Sequence, residues 1–131
     1  MGRLYMTSDK YRNIKSFEDL RIPQTIDEVI KIANDFNIDI LGYTISIVLD
    51  PELLDVEKGY TGGAYENNEI DLYPLAFADT ESLARTLFHE TYHQKQYAQY
   101  GHDNVIQDYT KYEKITRNAE KSWWDNKEWL K

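Results

Sequence analysis

"ESLARTLFHETYHQKQYAQYG", residues 81–101, decides how the rest of the chain is read. Leu83, Ala84, Leu87, Phe88 and Thr91 supply an apolar side at helical period, and Glu81 and Arg85 form an i,i+4 pair. No helix breaker stands between Thr80 and Tyr100. Asp79 and Thr80 are good N-caps, and Gly101 is a natural stop. The spacing predicts a helix from about residue 80 to Tyr100. On such a helix His89 and His93, four apart, lie one above the other and reach a single ion. Glu90 is turned about 100° from His89, beside the ion rather than on it, where it can take a proton from water. The order H-E-x-x-H carries this meaning only on a helix, and here the flanking residues provide one.

Two histidines do not complete a catalytic zinc site, which needs three protein ligands and an open position. The chain has no cysteine, so the third ligand is a His, Glu or Asp. His102, just past Gly101, is one candidate, although it reads more simply as a loop residue. Glu113 and Glu120 are seven apart, nearly two helical turns, and share a face with Ile106, Tyr109, Thr116 and Trp123. A carboxylate on an inward stripe is costly unless it is paired or binds a metal. For Glu113, pairing with a Lys or Arg is the simpler reading. Glu120, between Ala119 and the Trp123–Trp124 pair, is the preferred third ligand.

The remaining elements frame this helix. "TIDEVIKIANDFN" (25–37) has Thr25 and Glu28 at capping-box spacing, with Ile26, Val29, Ile30, Ala33 and Phe36 at helical period. "YTISIVL" (43–49) is a β-branched strand ended by Pro51. "GGAYENNEIDLYP" (62–74) reads as a hairpin, with strands Ala64–Glu66 and Glu69–Tyr73 and Asn67 and Asn68 at the turn. Gly62 and Gly63 either let a backbone approach closely or form a turn. The region after Asp103 has no Pro or Gly and forms a long C-terminal helix. The result is an α+β fold with a small, mostly antiparallel sheet. Residues 1–24 form an N-terminal arm, and residues 25–131 form the domain.

The bulk properties narrow the partners. The chain has 131 residues, enough for one ordinary domain, with 41% hydrophobic and 14% aromatic content. Its net charge of −8, from 15 basic and 23 acidic residues, argues against nucleic acid or an anionic membrane as partner. No stretch approaches the roughly 20 apolar residues of a membrane span. "MGRLYMTSDKYRNIKSF" has no apolar run and is not a signal peptide. The expected location is therefore the cytoplasm.

H-E-x-x-H on one helix and a Glu on the next resembles the gluzincin branch of zinc metallopeptidases. "TLFHETYHQKQYAQYG" followed by "YEKITRNAEKSW" is similar to the small metallopeptidase-like domains of phage, prophage and bacterial toxin proteins, over about residues 40–125. The resemblance implies a minimal zincin-like fold, Zn2+ held by His89, His93 and Glu120, and Glu90 as the base that activates water. It implies a peptide or protein substrate, a phage or host protein as partner, and the interior of a phage particle as a second location. Larger gluzincins carry an acid four residues after the ligand Glu to orient the first His. Here Trp124 stands there, so another carboxylate, such as Asp71 or Asp108, must do so. The oxyanion of peptide hydrolysis needs a donor besides the metal. Among Tyr97, Tyr100, Tyr109 and Tyr112, Tyr109 is favoured, against its alternative as a packing residue. In zincins an edge strand above the motif helix receives an extended peptide, and the hairpin is in the right order to do this. The competing function is a structural or interaction protein on the same fold, such as a virion component, with little or no turnover.

Overall fold

The computed structural model describes residues 8–54 and 59–130. Over the described residues the chain is a mixed α and β structure of four α-helices and one three-stranded sheet. Among the described residues no helix is long and apolar enough to cross a membrane.

The first helix, α1, spans Ile26–Asp35, and its N-cap Thr25 hydroxyl accepts from the Glu28 amide at 3.2 Å. Val29, Ile32 and Ala33 are buried, and Phe36 packs against the core just beyond. Ile26 and Ile30, expected inward, are each 44% exposed. Ile32 takes the core position because the buried stripe lies a little further round the helix. Ahead of α1, residues 1–7 of the expected arm lie outside the described residues. From Tyr11 on, that segment packs against the body. Tyr11 is fully buried with its hydroxyl 3.2 Å from Ser82 Oγ, and Leu20 is buried in the same core.

Strand β1 is Thr44–Ile47, β2 is Gly62–Tyr65 and β3 is Glu69–Leu72, in the order β1-β3-β2. The hairpin forms with Asn67 and Asn68 both at φ 62, a conformation asparagine tolerates better than most residues. Its first strand begins two residues earlier than expected, at the paired glycines. The sheet is not mostly antiparallel. β2 and β3 are antiparallel, but β1 pairs with β3 in parallel, Ile45 opposite Ile70. The chain crosses over after β1 and adds the second hairpin strand, not the first, to β1. That leaves β2 at one end of the strand order, against the motif helix.

That helix, α2, spans Thr80–Tyr100, with the Asp79 carboxylate accepting from the Ser82 amide at 2.8 Å and Gly101 at φ 90 closing it. Leu83, Ala84 and Leu87 join the core of Ile70, Leu72, Leu75 and Phe77. Thr86, His89, Glu90, His93, Gln94, Gln96 and Tyr97 are buried as well. A polar stripe inside a protein is tolerated only where its groups find partners. Most do. Thr86 donates to the Ser82 carbonyl at 2.6 Å, and Gln94 donates to the Tyr65 and Glu69 carbonyls at 2.9 and 2.8 Å, clamping the hairpin loop.

The expected long C-terminal helix is two helices, α3 at His102–Gln107 and α4 at Tyr109–Asp125. The break is at Asp108, at φ −119 and ψ 45. It buries Val105 rather than Ile106, and lets α4 present Glu113, Thr116, Glu120 and Trp123 to α2. Beyond α4, Lys127 at φ 50 turns the chain so that Trp129 meets Phe36 at 5.1 Å and Trp123 at 5.1 Å.

Candidate metal centre

The seam between α2 and α4 brings the polar stripes of both helices together. His89 and His93 are fully buried, with ring centroids 4.9 Å apart. Both Nε2 atoms point at one atom, Glu113 Oε1, each at 2.8 Å. These three residues form a group whose ligand atoms lie within 4.8 Å of one another. The other Glu113 oxygen has Arg117 Nε at 3.3 Å.

The rear nitrogens decide what the front ones offer. His93 Nδ1 is 2.9 Å from Gln96 Oε1. Gln96 Nε2 in turn faces Thr116 Oγ1 at 3.0 Å and the Tyr112 carbonyl at 3.4 Å, so its oxygen is the end left for His93. His89 Nδ1 is 3.1 Å from Glu120 Oε1, an acceptor when ionised. Both rings therefore donate N–H backwards and direct the Nε2 lone pair forwards. A neutral imidazole nitrogen and a carboxylate oxygen at that distance repel unless positive charge lies between them. Either protons or a cation supplies it. Without an ion, His89 is raised to about 10: burial opposes the charged ring, but Glu113 and Glu120 outweigh it. Burial likewise opposes the Glu113 anion, but the two imidazoles hold it well below the usual carboxylate range. Two imidazole nitrogens and a carboxylate oxygen are a donor set suited to zinc. Ligand atoms about 2.0 to 2.2 Å from a tetrahedral ion stand roughly 3.3 to 3.6 Å apart, so the 2.8 Å contacts would open by about half an ångström to take one.

Glu90 is unlike its neighbours. It is fully buried, and neither carboxylate oxygen has a hydrogen-bond partner among the described residues. Burial lifts its carboxyl to about 8. Against it lies the Gly62 backbone: a Cβ there would stand 3.4 Å from Glu90 Cγ, and 2.8 Å from both the Asp71 carbonyl and Thr86 Cγ2. Gly62 thus serves close approach rather than a turn. Aromatic rings flank the histidines. Tyr97 stacks on His93 at 6.3 Å and donates to the Ala64 carbonyl at 3.1 Å, and Tyr109 stacks on His93 from α4 at 5.9 Å.

The expected ligands divide accordingly. His89, Glu90 and His93 stand together, with Tyr109 beside them. Glu120, the preferred third ligand, does not join the front group. It lies behind His89, at Nδ1, and Glu113 takes the front position. The physical reason is axial offset: Glu113 sits two turns earlier on α4, level with both Nε2 atoms, whereas Glu120 is level with Arg85. Glu120 thereby does the orienting expected of Asp71 or Asp108; Asp71 lies on β3 and Asp108 is exposed at the α3–α4 break. His102 opens α3, packs edge-on against Tyr97 at 4.7 Å and faces Asp103 and Glu66 at 3.3 and 3.9 Å. Sequence reasoning missed Gln96 and the reach of Arg85. Their only signal was spacing, three residues after His93 and four before His89. Comparison of the chain with protein-family models, curated proteins and solved structures finds no match in any of the three.

Proposed function

We propose that the chain is a zinc-dependent metallopeptidase on a minimal zincin-like fold, with His89, His93 and Glu113 as ligands and Glu90 as the base. The observation that carries the reading is the convergence of two Nε2 atoms on one carboxylate oxygen while both Nδ1 atoms face side-chain oxygens behind them. A divalent ion held there supplies Lewis acidity, polarising a carbonyl and acidifying water. Glu90 takes a proton from the attacking water on a carboxylate oxygen and returns it to the leaving amine nitrogen. Burial raises its carboxyl above the usual range, which makes its ionised form a stronger base. Its empty hydrogen-bonding capacity also favours a role with water or substrate over a structural one. Tyr109, stacked on His93, is the candidate donor to the substrate oxygen. The substrate is a peptide or protein chain.

One observation favours the second reading, a zincin-fold structural or interaction protein, such as a virion component, that binds phage or host protein without turnover. His89, Glu90 and His93 are each 0% exposed. Metal analysis and peptide cleavage together test both. On the peptidase reading the wild type holds about one zinc per chain. Glu113→Ala then loses the zinc, and Glu90→Gln keeps it and loses cleavage. Zinc held by Glu113→Ala but lost from Glu120→Ala would overturn the ligand set. A zinc-loaded wild type that cleaves nothing would favour the structural reading.

A further inference from the structure

Two glutamates of α4 touch the same imidazole. Glu113 meets His89 at Nε2 and Glu120 at Nδ1, at 2.8 and 3.1 Å. Both are carboxylates on one helical face, and each could serve as the ligand. What separates them is the far side of Glu120. Its second oxygen accepts from Arg85 Nε, and Arg85 Nη1 donates to Glu81 Oε2 at 2.9 Å. Lys10 Nζ continues the line, 3.2 Å from Glu81 and 3.4 Å from Asp79. Glu81, Arg85, His89 and His93 are spaced by fours, one stripe along α2.

From this arrangement we propose that Arg85 is the positioning residue that sets Glu120 behind His89 and so leaves Glu113 to bind the metal. The inference rests on the metal reading above. A guanidinium is planar and stays protonated, so its donors have fixed directions. With Nε on Glu120 and Nη1 on Glu81, Arg85 ties α4 to the first turn of α2. Glu120 is 1% exposed, and a carboxylate that deep needs partners for both oxygens. Arg85 takes one and the His89 N–H takes the other. Nothing is then left to draw Glu120 toward the front of the ring, and the His89 tautomer is fixed with Nε2 open. Without Arg85, Glu120 keeps only the imidazole. The ring is then free to turn over and offer Nδ1 to the metal, and the two glutamates compete.

The test uses full-length protein, labelled with 15N at histidine and loaded with zinc. Two-bond nitrogen–proton correlation reads which ring nitrogen carries hydrogen, and chelator competition reads zinc affinity. Wild-type His89 is expected to show N–H at Nδ1 and metal at Nε2. Arg85→Met is expected to lower zinc affinity about tenfold to a hundredfold, the usual cost of losing an outer partner of a metal ligand, and to mix the His89 pattern. If it lowers the melting temperature but leaves affinity and ring pattern as in the wild type, Arg85 only holds the fold and the inference is wrong. Should Arg85→Met not fold, Arg85→Lys decides, since lysine keeps the charge but lacks the fixed, planar pair of Nε and Nη donors that directs Glu120 and Glu81 at once. Weaker zinc binding at an unchanged melting temperature supports the assignment, and wild-type affinity overturns it. A wild type whose His89 binds metal through Nδ1 sinks the inference directly. A wild type that binds no zinc sinks the metal reading with it, whereas zinc lost in Glu113→Ala but unaffected in Arg85→Met sinks this inference alone.

Discussion

The seam between α2 and α4 has two ends built on different physics. At one, His89, His93, Gln96, Glu113, Thr116 and Glu120 are buried and held by hydrogen bonds with fixed directions. At the other, one turn beyond Glu120, Trp123 stacks on Phe88 at 4.5 Å and joins Phe36, Trp124 and Trp129. The aromatic end gains stability from area removed from water, which rewards almost any close packing. The polar end gains little net stability, because each hydrogen bond replaces one to water, but a missing partner there is expensive. The aromatic end thus secures the pairing of the helices, and the polar end specifies which atoms meet. Glu90 is the exception within the polar end, buried there with no partner among the described residues.

The largest expected effect exploits that exception. Glu90→Gln removes the proton acceptor while keeping shape, and a buried amide is no harder to accommodate than a buried carboxylate. On the proposed peptidase reading, cleavage by the zinc-loaded protein should fall about 10²- to 10⁴-fold, with zinc content unchanged. Cleavage surviving at more than a tenth of the wild-type rate would remove Glu90 from the chemistry. It would also leave its solitary burial without an explanation.

Next comes the aromatic end. Trp123 is 8% exposed and meets rings from the residue that caps α1, from α2 and from the C-terminal turn. Trp123→Ala should cost about 3 to 5 kcal/mol in urea unfolding of the metal-free protein. Where the variant remains folded, zinc affinity should stay within a few fold of the wild type. A collapse of zinc affinity on that folded background would show that the two ends are one unit and break the contrast drawn between them.

The pH dependence sharpens the contrast, because only the polar end titrates. His89 has its folded value raised to about 10 from 6.5, so its contribution to stability is present below about 6.5 and is lost as pH rises toward 10. Glu90, raised to about 8 from 4.5, works in the same direction: folding favours its protonated form, and that stability fades between about 4.5 and 8. Glu113 is lowered, so its contribution is present above about 4.5 and is lost as pH falls further. Chelator-treated protein should therefore be most stable near pH 5 and lose stability steadily up to pH 10. Zinc should flatten the alkaline limb, since it replaces the protons between the ligands. Melting temperatures across pH 4 to 10, with and without chelator, check this. A flat metal-free profile would mean that the imidazoles and carboxylates do not share charge as their geometry implies.

How much of this could be read from residues alone follows the same division. The bounds of α2 were legible because Asp79, the apolar period and Gly101 are local signals. The inward placement of both Glu113 and Glu120 was legible too, because spacing by seven fixes a shared face. Which of them meets Nε2 was not, since it depends on how far α4 slides along α2. That slide is set by the break at Asp108 and by where Trp123 finds Phe88. Likewise the Asn67–Asn68 turn announced the hairpin, but nothing in "YTISIVL" says that it lies parallel to the hairpin's second strand. Arg85 was visible only as the i,i+4 partner of Glu81, a contact it makes. The more telling contact, to Glu120, spans 35 residues.

The smallest effect tests whether direction matters at the polar end independently of charge. Thr116 is fully buried; its hydroxyl donates to the Tyr112 carbonyl at 2.8 Å and accepts from Gln96 Nε2 at 3.0 Å. Thr116→Val keeps the volume and the branching and removes only the oxygen. The lost hydrogen bond should cost about 0.5 to 1.5 kcal/mol of stability. The Gln96 amide then loses the nearer of its two acceptors and keeps the Tyr112 carbonyl at 3.4 Å, so its oxygen is held less firmly behind His93. Zinc affinity should fall severalfold, less than the roughly tenfold or more expected when an outer partner is removed outright. Thr110→Val, at an exposed position on the same helix, serves as the control and should change stability by no more than about 0.5 kcal/mol and zinc affinity not at all. If the two substitutions behave alike, the Gln96–Thr116 bond does not steer His93. The back of that ring would then be held by packing against Tyr97 and Tyr109, as at the aromatic end of the seam.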